Sequence, residues 1–313
     1  MRGISRPVSI ALLAFFTLGF LVYMRIQTLP PIFAQQGTTR KISISASFYP
    51  LFFFASRVAK DRAQVTTITP AGSEPHDYEL TPQDMVRIAK SDLLILNGAG
   101  LEPWSDSIRD ALHDSPVSIL TVGHGLADKR TISENEIERL DPHIWLSPRL
   151  AQQEVMAIAD ELKRIDPAGA PLYEKNTLIL QEDLAALDAR YRERLGSCEK
   201  NDIITSHASF GYVAAEYGFN QMAIVGLSPD AEPTPKKLAA LADAAKENGI
   251  RIIFFETLVS PRVAEILSRE VGAKTRILNP LEGLTIEEII QGKNYLTEMD
   301  ANLSALTEAL QCR

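Results

Sequence analysis

The chain has 313 residues, of which 45% are hydrophobic and 23% charged, so it can bury a large core and is long enough for two domains of ordinary size. This composition excludes an intrinsically disordered tail. The formal net charge is −8, and it is more negative without residues 1–34, which contain three arginines and no acidic residue. An acidic folded part argues against nucleic acid as a partner.

The first residues of the chain have the pattern of an export signal. Arg2 and Arg6 precede an uncharged run from Pro7 to Met24. The run is longer than a usual signal-peptide core and approaches the roughly 20 residues that span a bilayer. Residues 1–34 are therefore expected to be either a signal peptide, with Ala34 as the candidate cleavage site, or a retained anchor that contacts the membrane. No cysteine closely follows the run, so we expect no lipoprotein-type attachment.

Short β-rich runs then alternate with helical patterns. Four strands are predicted in the first half, several of them nearly all apolar as expected for strands covered on both faces, at 41–47, 65–69, 92–98 and 117–122. One helix is predicted to begin at Pro82 with Thr81 as its N-cap, and another to occupy Pro103 to Asp114.

Two further helices are predicted in the middle of the chain. The first follows Pro148 and is closed by Asp166 and Pro167. The second, from Leu172 to Leu195, contains neither glycine nor proline, and its charges and helically spaced leucines predict one long, partly exposed helix. Those leucines are Leu178, Leu180, Leu184 and Leu187.

The second half repeats the alternation of strands and helices. Its four predicted strands are 202–207, 221–226, 251–256 and 274–279. Helices with proline at N1 are predicted at Thr234-Pro235 and at Ser260-Pro261, and the later one is predicted to end at Gly272. The pattern predicts an α/β fold of two parallel-sheet lobes joined by the one long backbone helix. The predicted limits are 41–167 for the N-terminal lobe, 168–198 for the linker helix and 199–313 for the C-terminal lobe.

The only two cysteines, Cys198 and Cys312, lie far apart in the chain, and neither belongs to a CxxC pair. A redox motif or a cysteine-ligated zinc site is therefore not expected. An exported protein can form a disulfide between them, which would tie the end of the chain to the start of the second lobe. Two unpaired thiols are the alternative.

Three of the five histidines occupy one kind of place. His76 lies just past the second predicted strand, His143 lies past the fourth, and His207 ends the first strand of the second half. Ligands of open α/β sheets bind beyond the carboxyl ends of the strands. Imidazoles that converge there from both halves predict a metal site in the cleft between the lobes. His113, on a helix end, and His124, in a glycine-flanked loop, have no such placement.

A fourth ligand is expected from the second half, because a metal bound by the first half alone could not draw the lobes together. Asn279 and Glu282 follow the last predicted strand. We favour Glu282, since a carboxylate offsets the charge of a dication and an amide does so poorly; a helix cap or a solvated acid is its alternative role. Glu256, at the end of the third strand, is either another ligand or a buried acid that orients a ligand histidine. Glu74, near His76, is a further alternative ligand.

Five segments of the chain carry a family resemblance. They are SFYPLFFFASRVA, GSEPHDYELTPQDMVRIAKSDLLILNGAGLEPW, DPHIWLSP, TSHASFGYVAAEYGF and LNPLEGLT. In this order they resemble the metal-binding lipoproteins and periplasmic proteins of zinc and manganese ABC importers, the cluster A-I solute-binding proteins. The resemblance covers residues 41 to about 311.

The resemblance implies two lobes joined by one rigid helix, with one metal between them. It places the first three ligands at His76, His143 and His207. The third position tends to be histidine in zinc proteins and glutamate in many manganese proteins, so the resemblance favours zinc over manganese. Several branches have an aspartate ligand where this chain has Asn279, whereas a zinc-binding branch with the same LNPLEGL wording uses its glutamate, here Glu282. The histidine-rich loop of some zinc members would fall between residues 123 and 141, where this chain has only His124.

The resemblance therefore implies an extracytoplasmic protein that captures a divalent metal, zinc in the first place, and delivers it to the permease and ATPase of an ABC importer. We expect a monomer and no enzymatic activity. A manganese-binding member, a surface adhesin and a zinc-dependent hydrolase are the alternatives. The chain has no HExxH, GxSxG or Walker-type motif, which argues against the hydrolase.

Overall fold

The computed structural model describes residues 40–132, 137–229 and 231–313, and the predicted export segment at residues 1–34 lies outside them. No helix in these three ranges combines the length and the hydropathy of a membrane span. Residues Lys41–Arg313 form one compact unit, and the domain limits within it stay a prediction.

The first parallel sheet is built from the first half of the chain. Its strands are β1 (Ile42–Ala46), β2 (Ala63–Thr67), β3 (Leu93–Leu96) and β4 (Ser118–Thr121). The helices among them are α1 (Tyr49–Ala59), α2 (Pro82–Ala89) and α3 (Ser105–Ala111), the last shorter than predicted. The strand order is β2-β1-β3-β4. As predicted, Thr81 is the N-cap of α2, where its side chain accepts from the backbone N–H of Asp84.

An antiparallel hairpin that the sequence analysis did not predict follows the first sheet. Its strands are β5 (Lys129–Ile132) and β6 (Ile137–Leu140). Charged residues are frequent in this segment, so no alternation of apolar and polar residues marks the strands. The hairpin lies in the stretch where the histidine-rich loop of the resembled family would fall.

Two long helices connect the halves, α4 (Pro148–Ile165) and α5 (Ala170–Leu195). The leucines predicted to form the apolar stripe of α5 are buried at Leu180, Leu184 and Leu187, but Leu178 is 61% exposed. The prediction was wrong for Leu178 because it lies two residues from Leu180, about 200° away around the helix.

The second parallel sheet has the strand order β10-β9-β7-β8. Its strands are β7 (Asp202–Thr205), β8 (Asn220–Ala223), β9 (Ile252–Phe255) and β10 (Lys274–Ile277). The helices of this half are α6 (Gly211–Tyr217), α7 (Pro235–Glu247), α8 (Arg262–Val271), α9 (Ile286–Ile290) and α10 (Tyr295–Leu310). Pro261 is the N-cap of α8 and not its first residue, whereas Gly272 ends that helix with a φ of 69°, as predicted.

Alternate residues of the central strands pack on opposite faces of each sheet. In β3, Leu93 and Ile95 belong to the main core, which also contains side chains of α1, α4, α5, α10 and the second sheet. Leu94 and Leu96 belong to a smaller cluster with α2 and α3. The main core therefore continues from one half of the chain into the other.

The helix α5 is hydrogen-bonded to both halves of the chain. Asn176 donates from Nδ2 to the carbonyl of Val58 at 2.8 Å, and the Tyr191 hydroxyl donates to the carbonyl of Met299 at 2.7 Å. These buried contacts attach one end of the helix to α1 and the other to α10, so α5 fixes the two sheets relative to each other.

A disulfide joins Cys198 to Cys312, which resolves the alternative left open by the sequence. The two residues also form an isolated antiparallel bridge between the backbone after α5 and the backbone after α10. The link closes a loop of the chain with a sequence separation of 114.

Candidate metal centre

Four side chains from four segments converge at one point of the structure. Each offers one ligand atom, and these atoms all lie within 4.8 Å of one another. The four residues, called the cluster below, are His76, His143, His207 and Glu282. The segments that carry them follow β2, β6, β7 and β10.

One oxygen of Glu282 lies near all three histidines of the cluster. Its Oε1 atom is 3.4 Å from Nε2 of His76 and 3.2 Å from Nε2 of both His143 and His207. The Nε2 atoms of His143 and His207 are 3.1 Å apart. Ligand atoms about 2.0–2.2 Å from a tetrahedral zinc ion lie about 3.3–3.6 Å from each other. These four separations are thus close to those of a zinc coordination shell.

Two of the ring orientations are set by acids behind the histidines. The Nδ1 atom of His143 lies 2.7 Å from Oδ1 of Asp141, and Nδ1 of His207 lies 2.8 Å from both oxygens of Glu256. The same acids accept from the backbone N–H groups of their histidines. A carboxylate that accepts from Nδ1–H leaves the lone pair of Nε2 free for a metal.

Of the two acids behind the histidines, the sequence analysis named Glu256 and missed Asp141. Glu256 was predicted as a ligand or as an orienting acid; it contacts Nδ1 of His207 and is not one of the four residues of the cluster, and its role stays a prediction. Asp141 was missed by the sequence analysis. Its position two residues before His143, in the turn Asp-Pro-His, was the signal that could have found it.

Glu74 lies beside the cluster without joining it. Its Oε1 atom accepts from the backbone N–H of His76 at 3.3 Å. Burial, and then the negative charge of Glu282, raises the pKa of Glu74 to about 10, so it is a neutral acid at pH 7. Its role as an alternative ligand stays a prediction.

Asn279 is used by the turn that precedes Glu282. Its Oδ1 atom accepts from the backbone N–H of Leu281 at 2.8 Å, and its Nδ2 atom lies 3.4 Å from Oε2 of Glu298. Leu281 has a φ of 60°, in the left-handed region that residues with a Cβ rarely adopt. The Asn279 side chain therefore supports a strained turn.

The cluster is buried and electrostatically coupled. His143, His207 and Glu282 are at most 1% exposed. Burial alone would raise the pKa of Glu282, but the charge of His207 and hydrogen bonds from the histidines hold it well below its usual range. The carboxylate is thus ionised, as a ligand for a cation must be.

The three imidazoles differ in basicity. Burial lowers the pKa of His76. For His207 burial acts in the same direction, but the charges of Glu256 and Glu282 outweigh it and raise the pKa well above the usual value. Hydrogen bonds that His143 donates to Asp141 and Glu282 likewise outweigh burial and raise the pKa of His143. In the absence of a metal, protons therefore compensate the negative charge of the buried acids.

The chain is similar in sequence to known zinc-uptake proteins. A family model described as "Zinc-uptake complex component A periplasmic" matches residues 44–309. The high-affinity zinc uptake system protein ZnuA of Bacillus subtilis is 39% identical over 281 residues, which cover 86% of this chain and 88% of that protein. The zinc-binding lipoprotein AdcA of Streptococcus pneumoniae is 38% identical over 284 residues. The match covers 88% of this chain and 57% of AdcA, so the chain spans little more than half the length of that relative.

Solved structures share the fold as well. The Zn(II)-bound ZnuA-like domain of S. pneumoniae AdcA superposes with a TM-score of 0.75 at 38% identity, and the match covers 86% of this chain and 99% of the domain. The family model spans most of the described residues, and the ZnuA relative matches along most of both chains. This chain therefore belongs to the family of periplasmic zinc-uptake complex component A proteins.

Proposed function

We propose that the protein captures a zinc ion outside the cytoplasm, with His76, His143, His207 and Glu282 as its four ligands, and delivers the ion to an ABC importer. One observation carries the proposal. The three Nε2 atoms lie 3.2–3.4 Å from a single carboxylate oxygen, close to the separations of a tetrahedral zinc shell.

The chemistry of the donors supports zinc over manganese. Imidazole nitrogen suits zinc, whereas manganese prefers oxygen-rich sites with more ligands. Three neutral imidazoles and the Glu282 carboxylate form a set of three nitrogens and one oxygen. The orienting carboxyl groups of Asp141 and Glu256 increase the basicity of their imidazoles and strengthen this set.

The same donor count supports a carrier and not a hydrolase. A catalytic zinc ion has three protein ligands and keeps a fourth position for water. Here four protein side chains offer one ligand atom each, which is enough for a tetrahedral shell, and three of them are almost fully buried. The metal is then the cargo of the protein and takes part in no reaction on it.

Membership of the family supports the setting of this capture. The family is described as the periplasmic component of a zinc-uptake complex. We take the remaining components to be a membrane permease and its ATPase, and we take the binding protein to act as a monomer.

Metal analysis of the purified protein tests the proposal. Metal-free protein is dialysed against equal concentrations of zinc and manganese and then analysed for both elements. We expect one zinc ion per chain and little manganese, because the donors suit zinc. The His113→Ala variant, whose ring lies outside the cluster, is the control and should bind equally. Retention of manganese in place of zinc, or of neither ion, would overturn the proposal.

A further inference from the structure

Trp145 connects the two segments that carry His143 and Glu282. It stands two residues after His143, and its indole Nε1–H donates to the carbonyl of Pro280 at 2.7 Å. Pro280 stands two residues before Glu282. The bond is buried, and its partners are separated by 135 residues in the chain. It therefore joins a ligand segment of the first half directly to a ligand segment of the second.

Other contacts fix Trp145 on both sides. The Tyr295 hydroxyl, at the start of α10, donates to the backbone carbonyl of Trp145 at 2.5 Å. The Phe48 ring packs edge-on against the indole with centroids 4.6 Å apart, and the centroid of the His143 ring lies 5.2 Å from that of the indole. Trp145 and Tyr295 are both fully buried. A buried donor or acceptor that loses its partner is costly, so these contacts allow the indole little freedom.

The spacing of the ligand atoms depends on such a connection. Nε2 of His143 and Oε1 of Glu282 are 3.2 Å apart, although their segments come from different halves of the chain. Binding sites hold their geometry only when the residues around the ligands are themselves locked by packing and hydrogen bonds. Near these two ligands, the buried hydrogen bond from Trp145 to Pro280 links their segments in addition to the contact between the ligand atoms themselves.

We propose that Trp145 is a positioning residue that sets the separation of His143 and Glu282, and that this fixed separation makes the site selective for zinc over manganese. The inference rests on the proposed zinc-binding function. A closely spaced set of four donors suits the tetrahedral zinc ion, while manganese needs room for more oxygen ligands. If the two segments move apart, the preference for zinc decreases because water can enter the coordination shell.

The test is the Trp145→Phe variant, which keeps an aromatic ring beside Phe48 and removes the N–H donor. Affinities for zinc and for manganese are measured by competition with a chromogenic chelator, and zinc release is followed after rapid mixing. We expect zinc release to become at least tenfold faster and the ratio of zinc to manganese affinity to fall at least tenfold. The matched control is Trp104→Phe, since Trp104 packs in the separate cluster beneath α2 and α3. Both values should be unchanged in the control.

A purely structural role predicts a different result. Trp145→Phe would then lower the thermal stability of the metal-free protein, but the ratio of affinities and the release rate would stay at their wild-type values, and this would overturn the inference. If Trp145→Phe does not fold, Tyr295→Phe decides, because it removes only the hydroxyl that holds the Trp145 carbonyl. In Tyr295→Phe we expect smaller changes in the same direction, both in the rate of zinc release and in the ratio of zinc to manganese affinity. If neither quantity changes, the inference is overturned.

The failure of the proposed function is distinguishable from the failure of this inference. Wild-type protein that binds no zinc overturns both. Wild-type protein that binds zinc selectively, together with an equally selective Trp145→Phe variant, overturns the role of Trp145 alone.

Discussion

The Nδ1 atom of His207 lies 2.8 Å from each carboxylate oxygen of Glu256, and both side chains are buried. Because the acid accepts from Nδ1–H, it orients the ring so that Nε2 faces the cluster, and it favours the neutral tautomer whose lone pair is on Nε2. We predict that Glu256→Gln weakens zinc binding by roughly 10- to 100-fold, as is typical when the hydrogen-bond partner of a ligand is changed. Competition with a chelator measures the effect. Glu270→Gln, at an exposed acid paired with Lys246, is the matched control and should bind as the wild type does.

The three histidines of the cluster should each be required for binding. We predict that alanine at His76, His143 or His207 weakens zinc binding by at least about tenfold, because one of four ligands is lost. Circular dichroism of the metal-free variants should show a retained fold. His113 is exposed, and His113→Ala should bind zinc as the wild type does. An equal loss of affinity in His113→Ala would show that the ligands are wrongly assigned.

Zinc affinity should fall as the pH is lowered. A histidine must lose its proton before Nε2 can bind a metal. The folded-state pKa of His207 is raised well above the ordinary value of about 6.5. Protons therefore already compete with zinc for His207 above about pH 6.5, and they compete more strongly as the pH is lowered. For the metal-free protein the sign is opposite: protonated His207 contributes stability below about pH 6.5, and this stability is lost as the pH rises through the raised pKa.

Chelator competition between about pH 5.5 and 8.5 checks this prediction. We expect the affinity to decrease at least about tenfold across the range toward acid, with a proton released on binding at neutral pH. Calorimetry in buffers of different ionisation enthalpy counts that proton. An affinity that does not change with pH would contradict the histidine ligand set.

The disulfide should stabilise the fold without contributing to the metal site. It closes a loop with a sequence separation of 114, for which chain entropy gives an upper estimate of about 4–5 kcal/mol. We predict that Cys198→Ser combined with Cys312→Ser lowers the free energy of unfolding by up to this amount, as measured by urea unfolding of the metal-free protein. Zinc affinity should not change. Equal unfolding midpoints of variant and wild type would contradict the prediction.

Much of the fold could be predicted because its signals are local. Several strands, such as β3 and β9, are apolar runs with helical patterns between them, and residues such as Thr81 and Gly272 mark helix ends by their own conformational preferences. The hairpin β5–β6 lacked such a signal. Its strands are short and rich in charge, and pairing alone defines them.

The candidate site could be predicted in part for the same reason. His76 and His207 follow strands of the parallel sheets, and parallel topology brings such segments together, whereas His143 follows the hairpin strand β6. The roles of Asp141, Glu256 and Trp145 could not be decided, since each depends on a contact between side chains or segments whose geometry only the folded chain provides. The assignment of the four ligands stays a prediction.

The assignment of the fourth ligand can be tested most directly, because two residues of the same turn, Asn279 and Glu282, were candidates. Glu282 Oε1 lies within 3.4 Å of all three Nε2 atoms, whereas the Asn279 amide accepts from Leu281 N–H and lies beside Glu298. A neutral amide in place of the carboxylate would leave the full charge of the zinc ion uncompensated.

We therefore predict that Glu282→Gln weakens zinc binding by more than the roughly 10- to 100-fold loss typical of an orienting acid, because it removes both the charge and a ligand atom. Asn279→Ala should weaken binding by less than about tenfold, since it loosens the turn at Leu281 and leaves all four ligand atoms in place. The two variants are compared by chelator competition, with Glu270→Gln as a control for loss of an exposed acid. A larger loss in Asn279→Ala than in Glu282→Gln would reverse the assignment, because it would place the decisive oxygen on the amide and not on the carboxylate.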